Sequence, residues 1–476
     1  MSSKDKVREY CGVFGILSTD YSFSVAGMIY SGLMALQHRG QIFSGISVTN
    51  CQGEIISHRG RGLVSKVLSP KNLRGFSGNV GIGHVCYGRP NCENLESAQP
   101  YLYKTHNNEF TIALNGTITN REQLIQKLNN MGRFTSGNSN IELIATLIDA
   151  LIGLTNDRFG VLKKLFNIIE GAYSILIMFS DGTVYALRDP SGCKPLCHGQ
   201  FKNGNNNFHI ISSESCALDI LGGSLIDDVQ PGEIIEFRPD NFQKFQEAKV
   251  NQKGVCLFEY IYFSRPDSII DGVSVAQVRY KLGENLAIDD AMKLKNPIVV
   301  PVPDSGRSAA MGYSWKSKIL YQEGLMKNRY MWKLSSETRN KLNPIKSIIS
   351  GNDIILIDDS IVSGHTMKEI IYMLREAGAH SIHVRISCPP IIKNCNLNDV
   401  FATRKLLIAH DTKEKNYNTF DEEMRKFVNA DSLKFQTYDG LINAVGGDSD
   451  AMCKVCIKEF CLIDENIERD AKELIN

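Results

Sequence analysis

The chain has 476 residues, a length at which a globular protein normally divides into two or three domains. Its residues are 43% hydrophobic and 22% charged, and its formal net charge of +1 gives no electrostatic reason to expect nucleic acid or a membrane surface as a partner. No apolar run approaches the roughly 20 residues that span a bilayer, and the first ten residues are too charged for a secretory signal, so we expect a cytoplasmic protein.

The cysteines are the first unusual feature. There are thirteen, an odd number, which favours nucleophile or metal-ligand roles over disulfides in a reducing compartment. Cys11 opens the sequence CGVFGI directly after the polar leader of residues 1–10. One interpretation is a buried apolar residue near a strand. If the leader is removed, Cys11 instead carries a free α-amino group that can act as the base for its own thiol.

The region from residue 11 to about 240 is rich in short strands and Gly/Asn turns, with a helix predicted over 140–154. Asn115 and Gly116 lie between apolar residues, where we predict a turn. A side-chain amide and a backbone N–H at such a position can form an oxyanion hole.

Residues from about 255 to 430 alternate strand and helix patterns, as parallel α/β units do. Two apolar strands, 298–303 and 354–357, both end in acidic and small residues, and a helix is predicted over 367–377. Such strand ends meet at the ligand-binding edge of a parallel sheet. The predicted binding residues there are Asp304, Ser305, Asp358, Asp359, Ser360, Gly364 and Thr366.

The second strand end has the features of a phosphate site. A strand–turn–helix unit points backbone N–H groups at an anion. Asp358, Asp359 and Ser305 can supply oxygen ligands to a Mg²⁺ that keeps most of its waters, and the two acids can also serve a ribose hydroxyl pair. The simplest alternative is an ordinary βα turn. The order of apolar run, acid pair and turn looks like the phosphoribosyl pyrophosphate (PRPP) signature of type I phosphoribosyltransferases.

The tail from residue 431 is predicted to be short and helical. It contains a C-x-x-C pair, Cys453 and Cys456. By itself this pair fits a redox site, a zinc site or a chance pair, and no thioredoxin-like βαβ pattern surrounds it.

These motifs occur in an order that resembles the amidophosphoribosyltransferase family over nearly the whole chain. CGVFGI is followed by LQHRGQ at 36–41, then by Asn115-Gly116, and then by the PRPP motifs. Four further segments carry the resemblance: DPSG at 189–192, VQPGE at 229–233, EYIYFSRPDS at 259–268 and KNRY at 327–330.

The resemblance implies a fold and an activity. Residues 11–240 would form a class II glutaminase domain, an αββα sandwich with an N-terminal nucleophile, and 255–430 a doubly wound phosphoribosyltransferase domain. Cys11 would attack glutamine, with Asn115 and Gly116 as the oxyanion hole. The ammonia released would cross a closed channel and displace pyrophosphate from PRPP, which gives 5-phosphoribosylamine, the first intermediate of purine synthesis.

The resemblance also implies ligands and partners. Lys327 and Arg329 join the substrate-binding residues, Mg²⁺ accompanies PRPP, and family members form homotetramers with purine nucleotides as feedback inhibitors. One subset carries a [4Fe–4S] cluster. The matching thiolates are Cys256, Cys395, Cys453 and Cys456, and the cluster-binding tail would be 431–476. Residues 396–399 depart from the family's aromatic–Gly–Ile–Asp pattern.

The glutamine site departs from the family most. Cys86 replaces the arginine of a Gly-His-x-Arg segment that pairs with the substrate carboxylate, and Asn140 replaces the aspartate that binds its ammonium. Arg89, three residues from Cys86, is a candidate to replace that arginine, and a solvated surface arginine is the simpler alternative. The lid over PRPP is shortened to 331–340. Two alternatives therefore stand beside the glutamine-dependent enzyme: a phosphoribosyltransferase that uses ammonia or another amine with a degenerate glutaminase domain, and a non-catalytic PRPP-binding subunit.

Overall fold

The computed structural model describes residues 11–50, 52–87, 95, 98–106, 108–136, 139–248, 254–288, 290, 292–328, 341–392, 395, 397, 417–447 and 449–457. The expected leader, Arg89, Arg329 and the lid segment 331–340 lie outside these residues. Within them, no helix is both long and apolar enough to cross a membrane.

The first half of the described chain consists mainly of antiparallel strands. The strands are β1 Gly12–Ser18, β2 Phe43–Thr49, β3 Ile55–Arg61, β4 Val80–Cys86, β5 Tyr101–Lys104, β6 Glu109–Ile118, β7 Gly171–Phe179, β8 Val184–Arg188, β9 Cys197–Asn203, β10 Asn206–Ser212, β11 Ser224–Asp228, β12 Glu233–Arg238 and β13 Asn241–Gln246. The helices are α1 Ala26–Ala35, α2 Val64–Val67, α3 Arg121–Asn130, α4 Asn140–Thr155, α5 Arg158–Ile168 and α6 Cys216–Asp219.

These elements form four layers. The described strands make one sheet in the order β11-β9-β10-β1-β4-β2-β3 and a second in the order β13-β12-β8-β7-β6-β5. Val13 of β1 and Leu176 of β7 belong to the apolar core between the two sheets. The outer faces bury separate cores against α1 and against α4 and α5. Because both faces of the central strands are covered, β1 and β4 are buried along their whole length. The expected αββα sandwich is confirmed.

The second half is built around parallel strands. Its strands are β14 Val255–Cys256, β15 Ile269–Ile270, β16 Val273–Ser274, β17 Pro297–Pro301, β18 Leu320–Tyr321, β19 Leu325–Lys327, β20 Leu342–Pro344, β21 Asp353–Asp358, β22 Ser381–Ile386, β23 Ser432–Phe435 and β24 Met452–Cys453. Its helices are α7 Val275–Ala287, α8 Arg307–Ser317, α9 Lys346–Ile349, α10 His365–Glu376, α11 Tyr417–Val428 and α12 Tyr438–Val445, with a π-helical turn at Glu259–Phe263 and a 3₁₀ turn at Ser449–Ala451.

The described parallel sheet has the strand order β18-β17-β21-β22-β23. Helices α7 and α8 cover one face, where Val299 and Ile355 are buried, and α10 and α11 cover the other. After β17 the chain adds β18 on one side of that strand and then returns to add β21 on its other side. The point at which the strand order reverses therefore lies between β17 and β21. Doubly wound sheets bind their ligands at this point. The expected doubly wound fold is confirmed.

The C-terminal segment is arranged differently from the expected tail. Strand β23 pairs in parallel with β22, so the sheet continues past residue 430, and the tail does not begin at 431. Strand β24 pairs in parallel with β14, which places Cys453 beside Cys256. Because β23 has only four residues, its apolar pattern was too short to separate it from a helix by sequence.

Candidate active sites

Cys11 lies immediately before β1, at the end of the sheet where β1 and β4 meet. It is half-buried, and its Sγ is 3.6 Å from the Sγ of Cys86, which is the last residue of β4. The hydrogen bond between the Cys11 and Cys86 thiols, and then the proximity of His84, hold the pKa of Cys11 well below its usual range, although burial opposes this. A thiolate at this position is a nucleophile.

The predicted oxyanion residues lie on the neighbouring sheet. His84 Nε2 is 3.1 Å from the carbonyl oxygen of Leu114, so the residue that lowers the Cys11 pKa also contacts the residue before Asn115. Asn115 is fully buried, and neither atom of its side-chain amide has a hydrogen-bond partner within the described residues. Such a buried, unpartnered amide is suited to binding an oxygen that develops charge.

The expected turn at Asn115 and Gly116 is wrong, because both residues lie inside β6 and pair with β7. Gly116 has a φ of +152°, and a Cβ there would lie 2.1 Å from the carbonyl oxygen of Ala172. The glycine that suggested a turn is instead required by close approach of the next strand.

A buried ion network joins this site to the second half of the chain. Arg39, which is 1% exposed, donates from Nε to the carbonyl oxygen of Cys11 at 3.1 Å. Its other nitrogens bind Glu259 at 2.8 and 2.9 Å and Glu214 at 2.6 Å. Glu259 begins the π-helical turn of the second half. Arg39 and Glu259 belong to the LQHRGQ and EYIYFSRPDS segments, and no sequence signal predicts their contact.

We expect Glu259→Gln to lower the free energy of unfolding by about 3–5 kcal/mol, because it removes one charge from a buried pair and leaves Arg39 undercompensated. The measurement is chemical denaturation of the whole chain. Arg238→Gln is the matched control, because it breaks the ion pair with Glu236, in which the arginine side chain is exposed to solvent. Its free energy of unfolding should fall by less than about 1 kcal/mol. Equal losses in the two variants would contradict the role of the network.

At the switch point of the parallel sheet, the ends of β17 and β21 are held together. The N–H of Val302 donates to the carbonyl oxygen of Ile357 at 2.8 Å. Asp304 Oδ2 accepts from Lys327 Nζ at 2.8 Å, so these two predicted substrate-binding residues meet in a partly exposed ion pair. The Oγ of Ser305 is buried and has no hydrogen-bond partner within the described residues.

The acid pair at the end of β21 is buried. Asp358 and Asp359 are 7% and 4% exposed. The N–H of Asp359 donates to Asp358 Oδ1 at 2.9 Å, and Ser360 Oγ donates to Asp359 Oδ2 at 2.6 Å. Two adjacent buried carboxylates need a cation or donors to offset their charge, and a hydrated Mg²⁺ supplies both.

The turn after the acids ends at the N-terminus of α10. Gly364 precedes the helix with a φ of +76°, a conformation that favours glycine. The predicted helix start at 367 is two residues late, so His365 and Thr366 belong to the first helical turn. The first backbone N–H groups of a helix have no acceptor within the helix, so a turn of this kind can bind an anion. Here the N–H of His365 donates to Ser363 Oγ at 3.5 Å.

The predicted cluster cysteines converge. Cys256 and Cys453 are register partners on β14 and β24, and all of Cys256, Cys395, Cys453 and Cys456 pack in or against one apolar core. The N–H of Ile392 donates to the carbonyl oxygen of Cys456 at 2.9 Å. Within the described residues, no three His, Cys, Asp or Glu side chains are arranged to hold a single metal ion.

A fifth thiol at this site was missed. Cys193 is fully buried, and its carbonyl oxygen accepts from the N–H of Cys256 at 3.4 Å. The nearby thiols of Cys256 and Cys453 are among the groups that act on its pKa, which lies well above its usual value. Lys194, also fully buried, lies near these thiols, and their negative charge would oppose the lowering of its pKa by burial. Cys193 follows the DPSG segment some 60 residues from its nearest partner, so only tertiary structure places it here.

One further contact alters the glutamine site. Asn140, the first residue of α4, accepts at Oδ1 from Arg121 Nη1 at 2.6 Å. A guanidinium thus lies beside the position where the resemblance expects a carboxylate. Arg121 opens α3 and carried no recognisable signal in the sequence.

Comparisons with known proteins match both halves of the molecule. Residues 91–219 match the model of a glutamine amidotransferase domain, and 281–413 match that of a phosphoribosyl transferase domain. The fold and its two sites therefore define a glutamine amidotransferase joined to a phosphoribosyltransferase.

Full-length relatives identify the family. The amidophosphoribosyltransferase of Methanothermobacter thermautotrophicus is 38% identical over 96% of this chain and 95% of its own length, and that of Methanocaldococcus jannaschii is 37% identical over 96% and 99%. The Bacillus subtilis glutamine PRPP amidotransferase, solved with ADP and GMP, superimposes with a TM-score of 0.85 at 34% identity over 95% of this chain and 97% of that one. The chain belongs to the amidophosphoribosyltransferase family.

Proposed function

We propose that this chain is a glutamine-dependent amidophosphoribosyltransferase, which converts glutamine, PRPP and water to 5-phosphoribosylamine, glutamate and pyrophosphate in the first step of purine synthesis. The observation that carries the proposal is a chain of hydrogen bonds that leads from the first site into the second half of the molecule. The Cys11 carbonyl binds Arg39, and Arg39 binds Glu259. Arg279 donates to the carbonyl oxygens of Tyr260 and Ser264, in and just after the turn that Glu259 begins, at 2.8 and 2.7 Å.

The glutaminase half-reaction follows from the first site. Cys11 attacks the side-chain amide carbon of glutamine, and the amide of Asn115 with the N–H of Gly116 stabilises the developing oxyanion. Ammonia leaves, and water hydrolyses the thioester to glutamate. Removal of residues 1–10 belongs to this proposal, because it provides the α-amine of Cys11 as the base. The mass of the purified chain tests it.

We expect Asn115→Ala to lower kcat for glutamine hydrolysis by about 10²–10³-fold, the usual effect of deleting one oxyanion-hole donor. Pyrophosphate release with ammonium chloride should stay within about twofold of the parent rate, because free ammonia does not require hydrolysis of glutamine. Asn108→Ala, on the loop before β6, is the control. A rise in the KM for glutamine at constant kcat would contradict the assignment.

The second half-reaction uses the switch point. Asp358, Asp359 and Ser305 are proposed to hold a Mg²⁺, which would neutralise pyrophosphate as it leaves. The unpartnered Ser305 hydroxyl and the buried acid pair support this donor set. Backbone N–H groups before α10, with Ser360, Gly364 and Thr366, bind the 5-phosphate. Asp304 and Lys327 complete the pyrophosphate side. Arg329, which lies outside the described residues, remains a predicted substrate-binding residue.

A [4Fe–4S] cluster on Cys256, Cys395, Cys453 and Cys456 belongs to the same proposal. Cys256, Cys453 and Cys456 are buried in one apolar core and the half-buried Cys395 packs against it, and cysteine thiolates are the ligands such clusters use. When bound, the cluster would fasten β24 to β14 and so hold the C-terminal segment against the start of the second half.

We expect Cys453→Ser, purified without oxygen, to lose most of the iron that the parent chain binds, together with the visible absorbance of a four-iron cluster. The reason is that serine is a poor ligand for iron in such clusters, so the variant keeps only three of the four proposed thiolate ligands. Iron and sulfide analysis measure this. Cys197→Ala, a buried cysteine in the first half, is the control. Full iron occupancy in Cys453→Ser would contradict the ligand assignment.

A second candidate is phosphoribosyl transfer from free ammonia alone. The contact between Arg121 and Asn140 favours it, because it places a cation where the substrate ammonium is expected. Pyrophosphate release from PRPP and Mg²⁺, measured anaerobically with glutamine or with ammonium chloride at pH 8, separates the two. Activity with glutamine supports the proposed function, and activity with ammonia alone supports the second candidate.

Regulation and assembly complete the proposal. Purine nucleotides are proposed as feedback inhibitors, which the Bacillus subtilis structure with ADP and GMP supports. A homotetramer is proposed from the family resemblance. Inhibition by added GMP and the mass in solution by light scattering test these two points separately.

A further inference from the structure

Cys86 takes part in no chemical step of the proposed reaction, although its thiol contacts that of Cys11. In the sandwich, β1 and β4 are antiparallel, with Gly12 opposite Val85. Extending this register by one residue places Cys11 directly opposite Cys86. Facing residues on antiparallel strands have Cα atoms about 4.5–5.5 Å apart, and disulfides span about 4.4–6.8 Å.

The side chains already point toward each other. Their sulfur atoms are 3.6 Å apart, and a disulfide requires about 2.0 Å, a change that rotation of two cysteine side chains can supply. The backbone around Cys86 is held on both sides: its carbonyl oxygen accepts from the N–H of Ile42 at 2.9 Å, and Gly40 packs so closely that a Cβ there would lie 2.5 Å from the Cys86 nitrogen. Cys86 is therefore fixed opposite Cys11.

Cys11 also differs chemically from the other thiols. Its pKa is lowered, whereas burial raises the pKa of Cys197, Cys216 and Cys388. Cys11 is half-buried and Cys86 is 7% exposed. A small oxidant would thus meet Cys11 first, at the thiol with the lowered pKa, with a second thiol in contact behind it.

We propose that Cys11 and Cys86 form a reversible disulfide, which makes this end of the sandwich a redox-sensitive modification site. The oxidant is a low-molecular-weight disulfide such as oxidised glutathione. The Cys11 thiolate attacks one of its sulfurs and releases one thiolate. The Cys86 thiol then loses its proton and attacks the Cys11 sulfur, which releases the second thiolate. Two protein thiols are oxidised, and one disulfide is reduced to two thiols.

The consequence rests on the proposed function. A sulfur joined to Cys86 cannot attack glutamine, so the glutaminase reaction stops while the phosphoribosyl site keeps its ability to use ammonia. A dithiol would reverse the change.

The test uses the whole chain with its metal content intact, treated anaerobically with oxidised glutathione. We expect a peptide map under non-reducing conditions to show Cys11 linked to Cys86. Glutamine-dependent pyrophosphate release should fall at least tenfold and return with dithiothreitol, and ammonia-dependent release should change less than twofold. Cys86→Ser should give only a Cys11–glutathione adduct, and Cys197→Ala should behave as the parent.

A stable glutathione adduct on Cys11 of the parent chain, or an unmodified Cys11 after complete reaction of a model thiol, would overturn the proposal. The peptide map decides this even if the reduced chain shows no glutamine-dependent activity. Failure of the disulfide and failure of the proposed function are therefore distinguishable.

Discussion

The Cys11→Ala variant is expected to lose glutamine-dependent pyrophosphate release by about 10³-fold or more, the scale on which enzymes lose activity without their nucleophile. Its ammonia-dependent release should remain within a factor of about two or three, because no atom of the Cys11 side chain takes part in the second half-reaction. The measurement is initial rate with each nitrogen source at saturating PRPP and Mg²⁺.

The structural reason is the separation of roles at Cys11. Its side chain faces Cys86 and His84, whereas its backbone carbonyl binds Arg39. Alanine removes the thiol and leaves the carbonyl, so the path to Glu259 stays intact. Cys197→Ala, which alters a buried cysteine on β9 of the same sheet, should keep both activities. Parallel loss of both activities in Cys11→Ala would show that Cys11 supports the structure rather than the chemistry.

The double variant Asp358→Asn/Asp359→Asn is expected to lose pyrophosphate release from PRPP with glutamine and with ammonia alike. A divalent cation stabilises a phosphoryl leaving group by several kcal/mol, and at about 1.36 kcal/mol per tenfold the loss is roughly 10³-fold. Asparagine has nearly the same shape as aspartate and can still accept the hydrogen bond from Ser360. A fall in the rate is therefore due to the loss of negative charge. The rate should be measured against Mg²⁺ concentration with ammonium chloride as nitrogen source.

The expected loss follows from the burial of the two acidic side chains. Both acids are more than nine-tenths buried at the switch point, where two negative charges need a cation. The variant should remain folded, because neutral amides remove the repulsion. Asp439→Asn, on the exposed start of α12, is the control. Glutamine hydrolysis without PRPP should be unchanged in the double variant, and a full rate of PRPP cleavage would contradict the assignment.

Sequence by itself determined the fold class and most of the candidate residues, because both depend on local patterns. Continuous apolar runs of strand length predicted buried strands such as β21, and the acid pair at its end predicted the position of the ligand edge. The helix expected over 140–154 is observed over Asn140–Thr155. Motif order also predicted the two domains, which the family comparisons confirm.

Only the tertiary structure decided which distant residues meet. Arg39 and Glu259 are 220 residues apart, and the backbone hydrogen bond between Cys256 and Cys193 is one that no spacing predicts. The turn expected at Gly116 is a strand, because a single glycine has the same sequence signal whether it turns the chain or admits a neighbouring backbone. Local patterns fix the period and ends of an element, but packing fixes its partners, so the pairing of Cys11 with Cys86 depends on the register of β1 and β4.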